Sequence, residues 1–221
     1  MKIGKILMLL VALVMTTGAW ADIDLKAVYK DSKGVEVTAS ADFTASAPLH
    51  VEFFSNASSL DATATLEWHI KNLSTGTSIT RYDENIQYDF TEAGINEVRL
   101  QVRQDGMVVD ESIIKITISE SILEMPNGFS PNGDQINDVY KAKSNHKSII
   151  EFHAYIFNRY GQKLYDWTDI NGGWDGTSHG NPVKDGVYYV YVKARGADGV
   201  DYEIKRDVNL LRNFNQPETN N

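Results

Sequence analysis

The sequence predicts an all-β chain, built as two consecutive β-sandwiches of roughly 100 residues each. Three observations carry this. Apolar and polar residues alternate through short runs, a period of two that buries one face of a strand and wets the other. Turn-forming clusters separate the runs, which recur at roughly 8–12-residue spacing. No stretch sustains a 3.6-residue period with caps. The 221 residues suffice for one large or two small domains.

The first 21 residues stand outside this scheme. Lys2 and Lys5 make a basic start, "ILMLLVALVM" at 6–15 is apolar, and "AWA" at 19–21 puts small residues at the −3 and −1 positions of a signal peptidase site. The pattern predicts a secretory signal peptide at 1–21, cleaved after Ala21. An uncleaved anchor would need an apolar run of about 20 residues. No second such run follows, so the mature chain is expected to lack a transmembrane segment.

Alternation then marks strands at "LHVEF" (49–53), "LEWHI" (66–70), "VRLQV" (98–102) and "IKITI" (114–118). Turn signals lie at 31–34, 72–76 and 105–106. A boundary falls near 119–125, where "ISESILEMPNG" passes from strand to polar residues and then to Pro126 and Gly128. The expected units are therefore residues 22–120 and 121–212. Residues 213–221, "FNQPETNN" preceded by an asparagine, read as a disordered tail.

Composition excludes several functions. The chain has 21 basic and 30 acidic residues and no cysteine. Removal of Lys2 and Lys5 leaves 19 against 30, a charge of −11. An acidic chain without a basic cluster is a poor partner for nucleic acid. Disulfides, thiolate catalysis and a lipidated cysteine are excluded, and the exported chain must hold together by core packing alone or with a metal.

In the first unit, "APLHVEFFSNAS", "LEWHI" and "YDFTEAGINEVRLQV" occur in order. Trp68 is the expected plug between sheets, Tyr88 is expected at a strand corner, and Gly94 at a turn that other residues resist. These segments resemble a PKD or related immunoglobulin-like domain over residues 23–118. "KNLSTG" stands where that family has Gly-Asp-Gly after the tryptophan strand.

In the second unit, "IFNRYGQKLY" reads as strand, turn, strand. Asn158, Arg159 and Gly161 fall in the turn, and Gly161 is expected at positive φ. In "GGWDGT", Trp174 plugs the core, Asp175 and Gly176 close a turn, and Arg159 is placed on an aromatic face there. In "PVKDGVYYVYVKA", Asp185 and Gly186 lead into a strand with Val187, Tyr189 and Tyr191 on one face and Val190 and Val192 on the other. Together with "NGFSPNGDQINDVYK" and "DVNLLR", these ordered motifs look like the gliding-motility-associated C-terminal domain of the Bacteroidetes phylum, from about Pro126 to Arg212. That family includes the type B sorting domains of the type IX secretion system. The resemblances together imply two immunoglobulin-like sandwiches.

The stretch "FSPNGDQINDVY" (129–140) has two readings. As a turn, Pro131 presets φ, Asn132 and Gly133 adopt left-handed geometry, and Asp134, Asn137 and Asp138 cap backbone amides. As a calcium loop, Asn132, Asp134, the Ile136 carbonyl and Asp138 supply oxygens at alternate positions. The bidentate glutamate of an EF-hand is missing, so the turn reading is preferred and no cofactor is otherwise expected.

Enzyme signals are sparse. "GTSHG" (176–180) fits G-x-S-x-G, but a Ser178 nucleophile needs a strand-to-helix elbow, and Asn181-Pro182 follows instead. The five histidines show no paired zinc spacing. The expectation is a non-enzymatic exported protein, passing through the periplasm to the cell surface or medium. By resemblance, its second unit is a sorting module for the type IX machinery, and its first a passenger for adhesion or spacing. The alternative is an envelope protein that keeps the second unit as a binding module. A small secreted hydrolase is a third reading.

Overall fold

The structure, a computed structural model, describes residues 23–57, 60 and 62–212. The expected signal peptide (1–21) and tail (213–221) lie outside the described residues. Among the described residues there are strands and loops and no helix, the all-β class expected from the sequence.

The first unit has nine strands: β1 (Lys26–Lys30), β2 (Glu36–Ala39), β3 (Phe43–Ala45), β4 (Leu49–Phe54), β5 (Thr65–Asn72), β6 (Ser78–Arg81), β7 (Asn85–Phe90), β8 (Gly94–Gln104) and β9 (Met107–Ile118). One sheet has the order β2-β1-β4-β7, the other β3-β9-β8-β5-β6. Alternation decides the faces, as expected from the pleat. In β4, Leu49, Val51 and Phe53 are buried while His50 and Glu52 are exposed. Trp68 of β5 is fully buried. It meets Phe53 of the facing sheet at 6.1 Å, and its indole N–H donates to the Asp83 carbonyl at 2.9 Å.

Tyr88 departs from expectation. It sits inside β7, opposite Val51, with its ring edge-on to Phe90 at 4.7 Å. The corner belongs to Gly94, whose φ is +116°. A Cβ there would lie 2.5 Å from the Ser74 hydroxyl oxygen. Asn72 fixes the neighbouring "KNLSTG" turn, its Oδ1 accepting from the amides of Ser74 and Thr75 and its Nδ2 donating to the Ala93 carbonyl.

The second unit adds β10 (Gly128–Phe129), β11 (Ile149–Phe157), β12 (Lys163–Trp167), β13 (Thr177–Ser178), β14 (Asn181–Pro182), β15 (Gly186–Gly196) and β16 (Asp201–Leu210). Five strands form one sheet, β10-β16-β15-β11-β12, and β13 pairs with β14. The opposing layer is largely irregular: the segment before β11 and the Trp174 corner, joined by reciprocal hydrogen bonds between Tyr140 and Trp174 at 2.8 and 2.9 Å. Trp174 and Tyr140 are fully buried there against Val192, Val208 and Leu210 of the sheet. Trp174 lies 5.3 Å from Phe129 and 5.1 Å from Tyr188.

A hydrogen-bonded seam joins the units. The Ala93 amide donates to the Ala197 carbonyl, and the Ala197 amide to the Ser148 carbonyl, each at 2.9 Å. The buried Ser148 hydroxyl accepts from the Ala47 amide at 3.2 Å and pairs with Ser119 at 2.9 Å. Ala197 is packed into the first unit's core.

Register sets the polarity of the second unit. β11 and β15 pair from Ile149↔Gly196 to Phe157↔Tyr189. β15 and β16 pair from Arg195↔Asp201 to Gly186↔Leu210. The Ile149, Gly196 and Asp201 ends lie at the seam. The turns after Phe157, before Gly186 and after Leu210 therefore gather at the opposite, distal pole.

Candidate functional site

Almost every motif singled out in the second half of the sequence meets at this distal pole. Phe129 pairs in parallel with Leu210, so the loop that follows it is carried to the same end as the terminus of β16. Asp138 organises that loop. Its Oδ1 accepts from the amides of Asn132 and Gly133, both at 2.8 Å, and its Oδ2 from Gln135 at 2.7 Å. The Gly133 amide, with those of Gln135 and Asn132, holds the Asp138 carboxyl below its ordinary range. Asp134 caps the Ile136 amide and Asn132 caps that of Asp134.

Two details differ from expectation. Asn137 contributes a left-handed backbone (φ +55°) in place of a side-chain cap, and Gln135 (φ +68°) joins Gly133 (φ +86°) there in place of Asn132. The donor set of Asn132, Asp134 and Asp138 also does not fit a calcium cage. Its carboxylate oxygens face the loop's own amides, and a cation would have to displace those bonds. Among the described residues no group of three or more His, Asp or Glu side chains is arranged for a metal.

The Trp174 corner is held from both sides. The Asp175 Oδ1 accepts from the Thr177 amide and hydroxyl at 2.9 and 2.8 Å. The indole N–H of Trp174 donates to the Thr177 carbonyl at 2.6 Å. Gly176, at φ +81°, leaves room where a Cβ would meet Arg212, Leu210 and Pro131, each at 3.1 Å. Arg212 then ties the pole together. Its guanidinium donates to the carbonyls of Val183 and Gly176 at 2.6 and 3.0 Å and to the Asp185 carboxylate at 2.7 Å, while its amide donates to the other Asp185 oxygen. The sequence placed Arg212 at the end of a motif but gave it no role, because its partners lie 27 to 36 residues away.

The turn after β11 forms as expected. Asn158 Oδ1 accepts from the amides of Tyr160 and Gln162, and Gly161 has φ +79°. Arg159 is corrected: its guanidinium lies 4.8 Å from the ring of exposed Tyr160, not on the buried Trp174. Trp174 is shielded by its own core, so it offers no open face. Ile136, Tyr160, Val187 and Leu211 are all exposed on loops or strand ends at this pole, Tyr160 by 78%. The pole thus presents apolar side chains on backbone fixed by caps.

The solvent face of the sheet is a second feature. His153, Tyr155 and Phe157 alternate outward along β11, with rings 4.0 and 6.4 Å apart. Tyr191 of β15 stands beside Tyr155 at 6.0 Å, and the ammonium groups of Lys193 and Lys205 lie over it. Val187, Tyr189 and Tyr191 share this face and Val190 and Val192 the buried one, as the sequence indicates.

Ser178 stands on two-residue β13, and its hydroxyl donates to the Leu164 carbonyl at 3.5 Å. Gly180 (φ +76°) closes the β13–β14 turn. The G-x-S-x-G spacing thus falls on a hairpin. The histidines are dispersed; His50 pairs with Asp89 and His153 with Asp166.

Comparison with known proteins gives one informative match. Residues 123–205 match the family model of the CHU_C type IX secretion signal domain. No curated protein matches. Among solved structures, dimeric latent PorU from Porphyromonas gingivalis aligns at 13% identity and a TM-score of 0.28, covering 87% of this chain and 20% of that one. A biofilm-associated protein BSP domain aligns at 14% identity and a TM-score of 0.26, covering 80% and 29%. The chain thus spans less than a third of either.

Proposed function

We propose that this is an exported, non-enzymatic envelope or surface protein whose second unit is the sorting module read by the type IX secretion machinery, with the distal pole as the surface that is read. The observation that carries this is the coincidence of the family match at 123–205 with a pole where the capped 129–140 loop, the Asn158 turn, the Trp174 corner and Arg212 meet. A docking surface needs fixed backbone and exposed apolar anchors, and the pole has both. Passage through the periplasm precedes surface or extracellular delivery. The first unit is an immunoglobulin-like, PKD-type passenger used for adhesion or spacing.

The seam favours a second reading. Its hydrogen bonds and the burial of Ala197 bind the two units together, which suits an envelope protein that keeps the second unit as a permanent binding module. One experiment separates them. A fluorescent carrier is placed between the signal peptide and residue 22, in a host with a working type IX system. Delivery to the surface or medium that disappears with the translocon supports sorting. Periplasmic retention in both hosts supports the permanent module.

A further inference from the structure

The seam shapes a cleft of about 450 Å³, lined by both units. Small-ligand sites occupy roughly 300–1,000 Å³ and occur preferentially at domain junctions. The lining has an apolar, fixed part: Ala47, Leu49 and Ile149 are each at least 93% buried. The seam bonds of Ala47 and Ser148 hold that part rigid.

Two ammonium groups and an imidazole gather at this cleft. Lys30, His146 and Lys147 line it, and among the described residues none of their side chains has an ion pair or hydrogen bond. Several other cations are paired, as in Lys26–Asp24, Lys143–Glu124, Lys163–Asp166, Lys205–Glu203 and Arg212–Asp185. The one carboxylate in the lining, Asp31, already accepts from the amides of Lys33 and Val35. A chain with a net charge of −9 thus places the unpaired ammonium groups of Lys30 and Lys147 around a depression with both polar and apolar walls. The lining contains no arginine, the side chain suited to bidentate phosphate recognition.

We infer that the cleft binds a small carboxylate-bearing ligand, with Lys30 and Lys147 meeting the carboxylate and the half-buried Tyr29 and Ile170, backed by Ala47, Leu49 and Ile149, meeting its apolar body. An acidic sugar and an acidic peptide share this chemistry. The test uses the whole mature chain and follows amide NMR shifts of Ala47, Ser148 and Ile149. Digalacturonate and N-acetyl-Glu-Glu are titrated beside cellobiose and inorganic phosphate. The expected result is saturable shifts with at least one of the two acids and weaker shifts with both comparators. Response to the uronate alone identifies a sugar, to the dipeptide alone a peptide. Lys30→Glu/Lys147→Glu weakens binding about tenfold or more, while Lys184→Glu at the distal pole leaves it unchanged. Lys30→Met/Lys147→Met, which neutralises without reversing, must weaken it too. Silence with both acids, equal shifts with cellobiose or phosphate, or unaltered binding by the double variants overturns the inference.

Discussion

At the scale of single residues, the distal pole rests on side chains that satisfy backbone groups. Arg212→Ala leaves the Val183 and Gly176 carbonyls and the Asp185 carboxylate without their donor. It should destabilise the chain by about 1–3 kcal/mol, read as a fall in Tm of about 2–4 °C per kcal/mol. An unchanged Tm would remove Arg212 from the account. Asp138 gives a pH prediction. Its carboxyl is lowered in the folded chain by amide hydrogen bonds, so its contribution is full above the ordinary aspartate value, about 3.9, and is lost as pH falls through the lowered one. The Gly133 amide shift should titrate with a midpoint below about 3.9. Calcium should leave Tm unchanged; a calcium-dependent rise that vanishes in Asp134→Ala would restore the cation reading. The role of Asp138 as a cap was legible because capping is local. The role of Arg212 was not, since sequence spacing gives no distance between loops far apart in the chain; Arg159 instead turns to its own neighbour, Tyr160.

At the scale of elements, period-two alternation located β4, β5, β8, β9 and β15 and the face each buries. It did not fix their ends: β8 and β9 run through 94–104 and 107–118, beyond the alternating cores, because a hairpin at Asp105 and Gly106 with φ of +51° and +78° joins them directly. It also could not show that Tyr88 sits mid-strand. The outer edge of β9 carries a second lesson. β3 covers only Ile116, Thr117 and Ile118, while exposed Met107, Val108 and Ile113 lie along the rest. Asp42 accepts from the Lys115 amide and Asp110 from the Glu111 amide, each at 2.8 Å. These carboxylates occupy donors that another strand would use, one way natural edges avoid pairing. Asp42→Ala/Asp110→Ala should therefore self-associate in sedimentation velocity at concentrations where the parent chain is monodisperse. Equal sedimentation of the two would show that the edge is protected otherwise.

At the scale of the whole molecule, the boundary near 119–125 was visible as a change in composition, but the seam across it was not. Ala93, Ala197, Ser119 and Ser148 are small, ordinary residues, and nothing in their order signals contact. The seam predicts cooperative unfolding: one calorimetric transition for the parent chain, and two for Ala197→Asp, which puts a charge into the first unit's core. Two transitions in the parent would mean the units are independent. With the seam joining its near end to the first unit, the second unit exposes the distal pole and the aromatic sheet face. The most direct measurement compares translocon-dependent delivery of the carrier-fused chain with that of Ile136→Ser/Tyr160→Ala/Leu211→Ser, whose side chains are solvent-exposed. With Tm preserved, this variant is expected to remain in the periplasm while Tyr155→Ser/Tyr191→Ser on the sheet face is delivered. Normal delivery of the pole variant would contradict the assignment of recognition to the distal pole.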